Sequence, residues 1–291
     1  MLLTGGSGFI GRNIIETAPE WCEITAPRHS ELELTDQKSV DSFFESHELD
    51  AVIHCAVKPG HRNAGDTSDL LKCDLQMFYN LARNTEPRGV KLLSLGSGCC
   101  YDMRNYRPKM KEEDMGANIP ADDTGLAKYI SSLHALSSKH IYDLRVFGIF
   151  GKYEDYAIRF ISNAACKAVH GLPITIKQNR KFDYIQVDDF VKILEIFLKN
   201  EPERHAYNIT PDSSVSLYDL AVMVRSAAGR HDLPIQVAEE GIGLEYSGDN
   251  SLFREEFGFG FTPVEESVKS LTEWYKSRID SIDKNLLMFD K

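Results

Sequence analysis

The sequence predicts an α/β protein built on a doubly wound parallel sheet, with a smaller α/β portion toward the C-terminus. Short apolar segments alternate with helix-like patterns through the first half of the chain, which is typical of a parallel sheet with crossover helices. The segment at 92–95 has the apolar character of a strand buried on both faces. After residue 150 the alternation loosens, so a smaller and more mixed portion is expected there.

The predicted elements follow one another in a regular order. Strands are expected at 1–4, 23–26, 51–55, 92–95 and 141–147, and helices at 11–17, 37–46, 69–84 and 124–139. Further elements are a helix at 156–170, a strand at 182–187, and helices at 188–200 and 216–228. A last helix is expected to begin with Thr262 as its N-cap and Pro263 in its first turn.

Composition narrows the class of protein. The chain has 291 residues and a formal net charge of -11, which disfavours non-specific binding to nucleic acid or to an anionic membrane. No apolar run is long enough to span a bilayer, and no signal peptide precedes the first strand. The six cysteines have neither metal-ligand spacing nor a secreted disulfide pattern. We therefore expect a cytoplasmic protein with reduced thiols and no metal.

A glycine-rich segment joins the first predicted strand to the first helix. TGGSGFIG at residues 4–11 has the spacing GxxGxxG. Gly5 permits the tight turn, Gly8 lets the backbone approach a pyrophosphate, and Gly11 lets the helix pack on the strand. Backbone N–H groups and the positive end of the helix then hold the phosphates. The alternative is a glycine-rich turn without a ligand, which the position at the start of a βαβ unit disfavours.

The end of the second predicted strand bears on the choice of dinucleotide. An Asp or Glu there would bind the ribose hydroxyls of NAD, and none is present. Arg28 occupies this stretch and can pair with a 2′-phosphate. The sequence therefore favours NADP over NAD, the alternative being an arginine that only faces solvent.

These motifs resemble those of the extended short-chain dehydrogenases, the NAD-dependent epimerase/dehydratase family of nucleotide sugars. ELELTD at 31–36 resembles the family segment that flanks the adenine, with Glu33 and Leu34 at the contact positions. HCAV at 54–57 resembles the strand end that passes the cofactor riboses and includes Ala56. Within the family the spacing is most similar to that of the GDP-fucose synthases, which epimerise and reduce a 4-keto sugar.

Two later segments extend the resemblance over most of the chain. RVFGIFG at 145–151 resembles the stretch that leads into the sugar-binding region, and VDD at 187–189 resembles a late family signature. The resemblance implies an NAD(P)-binding Rossmann domain at 1–150, a return to it at about 180–200, and a mainly substrate-binding portion at 151–291. It also implies a nucleotide-sugar substrate and NADP or NAD as the cofactor.

The catalytic positions implied by the resemblance contain one departure. Ser97 falls on the family's catalytic serine, and TGLAK at 124–128 supplies the lysine as Lys128 but has Thr124 where the family has tyrosine. Residues i and i+4 share a helix face, so Thr124 and Lys128 can both face the nicotinamide. A phenol has a pKa of about 10, whereas a threonine hydroxyl is far less acidic and is a poor general acid or base. The implied cofactor contacts are Gly5, Gly8, Phe9, Ile10, Gly11, Arg28, Glu33, Leu34, Ala56 and Lys128.

Other residues are candidate replacements for the missing phenol. Cys99 and Tyr101 follow Ser97, and the position of Cys99 carries a base for epimerisation in the GDP-fucose synthases, with Arg159 here in place of its partner histidine. The alternatives are that Cys99 and Cys100 are core cysteines and that Ser97 makes only local hydrogen bonds. Two functions stay open: a reductase, epimerase or dehydratase with a T-x-x-x-K site, or a catalytically weak or inactive protein that binds cofactor or nucleotide sugar.

The resemblance also implies a homodimer. Family members commonly dimerise by packing two helices from each subunit, for which the helices at 69–84 and 124–139 are the candidates. The first of these carries Asp74 where the family usually has Asn. The apolar positions near helical spacing on the second are Leu126, Ile130, Leu133 and Leu136.

Overall fold

The computed structural model describes residues 1–61 and 64–288. In chain order the strands are β1 (Leu2–Thr4), β2 (Ala51–His54), β3 (Lys91–Ser97), β4 (Ile141–Val146), β5 (Gly148–Phe150), β6 (Ile174–Asn179), β7 (Lys181–Phe182), β8 (Tyr184–Gln186), β9 (Ala206–Ile209), β10 (Val215–Ser216) and β11 (Ile235–Ile242). The α-helices are α1 (Phe9–Glu16), α2 (Gln37–Ser46), α3 (Leu70–Thr85), α4 (Asp123–Ser137), α5 (Phe160–Val169), α6 (Val187–Lys199), α7 (Leu217–Ala227), α8 (Ser251–Phe257) and α9 (Val264–Lys276).

A five-stranded parallel sheet in the order β1-β2-β3-β4-β9 forms the centre of the molecule. On the free side of β1, Leu2 makes a parallel bridge with Thr25. After β1 the chain thus runs along one side of that strand at Thr25, and it then returns along the other side of β1 as β2. This reversal is the topological switch point of a doubly wound sheet, where such folds bind ligands. The predicted fold class is confirmed.

Helices cover both faces of this sheet. Leu2, Val52 and Leu92 face a hydrophobic core shared with α2, α3 and α4, whereas the next residue of each strand faces a second core shared with α1 and α6. Successive side chains of a strand point to opposite faces, so strands buried on both sides need apolar residues at successive positions. Within the described residues, none of the helices is both long and apolar enough to cross a bilayer.

A third core lies in the second half of the chain, between α5, α7 and α9. It is built on residues such as Ile161, Leu220 and Val268 and includes one face of β6. Between these elements the chain comes back to the main sheet, since α6 packs on α1 and β9 forms the last strand. The second half therefore contributes both to its own core and to the main one.

Two predicted strands are wrong in extent. The strand expected at 23–26 is reduced to the single bridge at Thr25, because Pro27 has no N–H to extend the ladder. The strand expected at 182–187 is two short strands, β7 and β8, separated by Asp183. The fully buried carboxylate of Asp183 accepts hydrogen bonds from Thr210 Oγ1 at 2.6 Å and Gly248 N at 2.9 Å. Asp183 therefore links two other segments of the chain to the break between β7 and β8.

Two predicted helix starts are also wrong. The helix expected from residue 156 begins at Phe160, because the preceding stretch forms turns in which Asp155 accepts a hydrogen bond from Ala157 N. Thr262 does not cap the last helix. Its N and Oγ1 donate to the Asp189 carboxylate at 2.6 and 2.9 Å, so its hydroxyl links this segment to α6, and the N-cap position belongs to Pro263.

Candidate active site

The glycine-rich loop lies at the switch point and is packed without spare room. Gly5 has a φ of 71°, in the left-handed region that favours glycine, and a Cβ on it would lie 2.8 Å from Ala56 N. A Cβ on Gly11 would collide with the carbonyl oxygen of Gly5. The loop therefore brings the start of α1 against the ends of β1 and β2, and only glycine fits these two positions.

The loop leaves the amino-terminal end of α1 open. Gly8 is the N-cap, no side chain caps the helix, and Gly8 N donates to Gly5 O at 3.0 Å. The first N–H groups of a helix have no partner within it, so those of Phe9 and Ile10 are available to a ligand. The ring of Phe9 also lies near Gly151, since a Cβ on Gly151 would be 3.6 Å from that ring. This geometry fits a pyrophosphate, since backbone donors and the positive helix end meet with no side chain in between.

The adenosine side of the site follows from the bridge at Thr25. Ala26 lies against the loop, 2.9 Å from the position that a Cβ on Gly6 would take, and Arg28 comes two residues later at the same sheet edge. Arg28 is exposed, and among the described residues its guanidinium has no hydrogen-bond or ionic partner. A free guanidinium at this edge can pair with a phosphate group on the ribose.

The two other expected adenosine contacts differ in their surroundings. The Glu33 carboxylate is half-buried and engaged locally, because it accepts from Thr35 N at 2.8 Å and pairs with His29 at 2.6 Å. Leu34 is buried in the core beside α2 and α3, and its carbonyl oxygen accepts from Asn80 Nδ2 at 2.9 Å. Of the two residues expected at the adenosine, Leu34 therefore faces the core, whereas Glu33 stays partly accessible.

The ends of β1 and β2 are joined by a polar contact beneath Ala56. Thr4 Oγ1 lies 2.8 Å from His54 Nδ1 and accepts from Ala56 N at 3.3 Å. Burial lowers the pKa of His54 to about 3, and the nearby Lys128 ammonium adds to this, so the imidazole is neutral at physiological pH. His54 is therefore a structural link beneath the expected ribose position.

Lys128 stands at the centre of the site. Its Nζ donates to the carbonyl oxygen of Leu95 at 2.7 Å, and its charge acts on His54, Asp74 and Cys99. Asp74 accepts from Lys58 N at 2.8 Å, and burial raises the pKa of its carboxyl. The ammonium of Lys128 thus lies where β2, β3 and α3 meet, at the edge of the sheet that carries the glycine-rich loop.

Thr124 and Ser97 lie on neighbouring elements at this edge. The first turn of α4 packs on a 3₁₀ turn at Gly98–Tyr101, where a Cβ on Gly125 would lie 2.9 Å from Cys99 O. Ser97 Oγ accepts from Cys99 N at 3.3 Å and stays half-buried. Thr124 is exposed, and its Oγ1 is 3.5 Å from the position of a Cβ on Gly60. The structure therefore brings Ser97, Thr124 and Lys128 into one region.

Not all of the candidate replacements for the phenol missing at position 124 reach this region. Tyr101 is 2% exposed; its hydroxyl donates to Asn208 Oδ1 at 2.6 Å and accepts from an Arg145 guanidinium N–H at 2.7 Å, so it is committed to the core. Burial raises the pKa of the Cys99 thiol, and the Asp122 carboxylate adds to the rise, while Ser97 and Lys128 oppose it. Cys99 is therefore beside the site and protonated at neutral pH. Arg159 is exposed at the start of α5.

Sequence reasoning missed two residues of this region. Arg12 lies beside the glycine-rich loop, and its Nε donates to Ser7 O at 2.9 Å. Tyr246, from the segment after β11, has its ring centroid 4.8 Å from that of Tyr106, whose hydroxyl donates to the carbonyl oxygen of Gly98, next to Ser97. The one signal for Arg12 was its place directly after the glycine motif. No sequence signal pointed to Tyr246, because the contact depends on how distant segments pack.

A glycine-rich loop at the switch point, with a serine strand and a lysine helix at the same edge, defines a dinucleotide-binding protein of the short-chain dehydrogenase type. Residues 1–210 match the NAD dependent epimerase/dehydratase family. The chain belongs to this family, whose cofactor is a nicotinamide dinucleotide.

Individual relatives agree with this assignment. The chain is 33% identical over 105 residues to the GDP-L-colitose synthase of Yersinia pseudotuberculosis, a match that spans 35% of this chain and only about a third, 34%, of that relative. It is 22% identical to the probable GDP-L-fucose synthase 1 of Oryza sativa subsp. japonica, over 98% of this chain and 94% of the relative. The solved GDP-mannoheptose C4 reductase of Campylobacter jejuni, with NADP bound, has a TM-score of 0.80 and 19% identity, over 94% of this chain and 97% of its own. At that identity the likeness shows the fold.

The first prediction tests the packing of the glycine-rich loop. Gly11→Ala should destabilise the fold by about 1–3 kcal/mol, as overpacking does, and weaken NADPH binding, because the added methyl group displaces Gly5. Thermal unfolding and NADPH fluorescence titration measure the two effects. Gly260→Ala is the matched control, since no atom lies within 4 Å of its Cβ position. Equal melting temperatures for the two variants would contradict this account of the loop.

Proposed function

We propose that this protein is an NADP-dependent oxidoreductase or epimerase of a nucleotide-activated sugar, with an atypical T-x-x-x-K active site. The observation that carries the proposal is the meeting of Ser97, Thr124 and Lys128 at the sheet edge that bears the open glycine-rich loop. The names of the relatives favour a GDP-linked sugar. Residues 151–291 are proposed to hold that substrate, and the spacing of the cysteines, which has no secreted disulfide pattern, supports a cytoplasmic location.

The residues of the site have separate roles under this proposal. The bound dinucleotide supplies or accepts a hydride at its nicotinamide ring. The N–H groups at the start of α1 hold the pyrophosphate, Arg28 pairs with the 2′-phosphate, and Lys128 binds the nicotinamide ribose. Ser97 donates a hydrogen bond to the reacting oxygen of the sugar, and Thr124 is a second donor to it. Neither hydroxyl is acidic enough to act alone as an efficient general acid.

The alternative is a catalytically weak or inactive protein that binds the same ligands. Thr124 favours this alternative, because the position that usually carries an acidic phenol holds an aliphatic hydroxyl. The protonated Cys99 favours it as well, since no thiolate is available beside Ser97. Turnover measurements on the purified protein separate the two functions.

The second prediction concerns cofactor choice. Because Arg28 has a free guanidinium at the adenosine edge, NADPH should bind more tightly than NADH by roughly tenfold or more, the effect of a charge-assisted contact. Arg28→Ala should remove most of this difference. The remote Arg230, which pairs with Asp232, provides the control variant Arg230→Ala. Equal affinities of the unmodified protein for the two dinucleotides would reject the role of Arg28.

The third prediction concerns the homodimer, which we propose forms through α3 and α4. Leu133 and Leu136 of α4 are 44% and 52% exposed, and Tyr79 of α3 is 38% exposed, while Leu126 and Ile130 are half-buried. Light scattering at micromolar concentration should show a dimer, and Leu136→Glu should convert it to a monomer, because the charge would be buried at the interface. Ile242→Glu, at a 73% exposed position outside α3 and α4, is the control. A monomeric unmodified protein would reject this interface.

The fourth prediction tests the departure at the catalytic position. On a GDP-linked 4-keto-6-deoxy sugar with NADPH, turnover should be slow. Thr124→Tyr should raise kcat about tenfold or more, because general acid catalysis contributes roughly a hundred- to ten-thousand-fold. The exposed position of Thr124 leaves space on its solvent side for a phenol.

Two controls accompany the Thr124→Tyr measurement. Thr124→Phe adds the ring without the hydroxyl and should give no increase. If the unmodified protein is fast and Thr124→Tyr slows it, another residue is the acid. If neither form turns over the sugar while NADPH stays bound, the binding protein is the better description.

A further inference from the structure

Arg12 carries a positive charge next to the glycine-rich loop. It is the fourth residue of α1, and its Nε donates to the carbonyl oxygen of Ser7 at 2.9 Å. That carbonyl belongs to the peptide unit that continues into Gly8, the N-cap of the helix. The guanidinium is therefore anchored one residue before Phe9, whose N–H group is free for a ligand. Among the described residues, its two terminal nitrogens have no hydrogen-bond or ionic partner.

An aromatic ring from the second half of the chain lies against this guanidinium. The Cζ atom of Arg12 is 5.8 Å from the centroid of the Tyr153 ring, which is within range of a cation–π interaction. Tyr153 in turn makes an edge-to-face contact with Trp274 of α9, with the ring centroids 5.4 Å apart. The two rings therefore restrict the directions in which the side chain of Arg12 can extend.

The backbone of Tyr153 is held in an unfavourable conformation. Its φ is 69°, in the left-handed region, where a bulky side chain is an outlier. Contacts of the preceding residue with α1 hold it there, since Lys152 O accepts from Asn13 Nδ2 at 2.9 Å and Lys152 Nζ pairs with Glu16 at 3.4 Å. Such conformations cluster at ligand sites, where the surrounding structure imposes them. This strain points to a role for the ring that Tyr153 places beside Arg12.

The pyrophosphate of a dinucleotide needs more positive charge than the helix end supplies. Both of its phosphates are anionic, whereas the start of a helix acts as only about half a positive charge. Under the function proposed above, Arg28 is occupied by the 2′-phosphate, and Lys128 lies on the nicotinamide side with its Nζ bonded to Leu95 O. Arg12 hydrogen-bonds the loop itself, and a guanidinium can donate parallel hydrogen bonds to phosphate oxygens.

We propose that Arg12 binds the pyrophosphate of the dinucleotide, and that Tyr153 is the positioning residue that directs its guanidinium there. The contact with Ser7 uses Nε, which leaves the two terminal nitrogens for the phosphate oxygens. The inference concerns the dinucleotide alone, so it is independent of the sugar and of the reaction proposed above.

The first arm of the test uses two fragments of NADP in calorimetric titrations. ADP-ribose contains the pyrophosphate without the 2′-phosphate, and 2′-AMP contains the 2′-phosphate without the pyrophosphate. Arg12→Ala should raise the Kd of ADP-ribose about tenfold, the effect of a charge-assisted hydrogen bond, and should change the Kd of 2′-AMP less than about twofold. Arg28→Ala is the matched comparison and should show the opposite pattern. An unchanged Kd of ADP-ribose in Arg12→Ala would overturn the inference.

A purely structural role for Arg12 gives a different pattern of binding. If the side chain only links Ser7 to α1, Arg12→Ala lowers the melting temperature and weakens both fragments alike, which contradicts the inference. Arg12→Lys keeps the charge, but one ammonium cannot serve both Ser7 and a phosphate, so ADP-ribose should bind with intermediate affinity. The difference between the unmodified protein and Arg12→Ala should also shrink at high ionic strength, because Arg12 is exposed.

The second arm tests the positioning role of Tyr153. Tyr153→Leu should raise the Kd of ADP-ribose about two- to fivefold, because the cation–π contact is lost, whereas Tyr153→Phe keeps the ring and should restore the affinity. Arg278→Ala is the control, since it removes a cation 4.6 Å from the centroid of the Trp274 ring without a contact to the loop. Equal affinities of the Leu and Phe variants would reject the role of Tyr153.

Binding and turnover separate this inference from the proposed function. If the folded, unmodified protein binds neither ADP-ribose nor NADPH, the inference fails together with the dinucleotide site. If both ligands bind and Arg12→Ala weakens them, the inference stands even when the protein turns over no nucleotide sugar. In that case only the proposed enzymatic activity is contradicted.

Discussion

The close contact of the glycine-rich loop with the end of β2 constrains the rest of the active site. Gly5 needs a positive φ and lies against Ala56, and Gly11 touches the carbonyl of Gly5, so α1 can begin only at this point of the sheet. The start of α1 then aims its free N–H groups across the switch point. Everything that the site needs, from Arg28 on one side to Lys128 on the other, is arranged around that fixed helix end.

Local positive groups act against the overall charge of the protein. The chain carries a net charge of -11, yet a dinucleotide brings further negative charge. Arg12, Arg28 and the amino-terminal end of α1 lie beside the loop, and Lys128 lies half-buried at the centre of the site. Interactions over a few ångströms in a partly buried site outweigh surface charges that are screened beyond about 8 Å at physiological ionic strength. The acidic surface therefore repels other polyanions without preventing binding at the loop.

Sequence alone predicted the parts of the structure that depend on short stretches. The central strands were found because burial on both faces requires apolar residues at successive positions, and the loop was found because its glycines are spaced by backbone geometry. The prediction of a strand at 23–26 was wrong, since apolar character there does not show that Pro27 ends the hydrogen-bond ladder. The prediction of Thr262 as an N-cap was wrong because its hydroxyl donates instead to Asp189, which is distant in sequence. Tyr246 could not be predicted from the sequence, since its place beside this region is set by packing against Tyr106 and Phe147.

The protonation states of the buried groups disfavour proton abstraction at this site. Burial raises the pKa of Cys99 and of Tyr246, so both hold their protons at neutral pH. Epimerisation next to a carbonyl needs a base that removes a carbon-bound proton, and the family resemblance puts Arg159 at the position of the partner histidine. Reduction needs only a hydride and one donated proton. Under the function proposed above, in which Ser97 and Thr124 hydrogen-bond the reacting oxygen, these side chains therefore fit the reduction of a keto sugar better than its epimerisation.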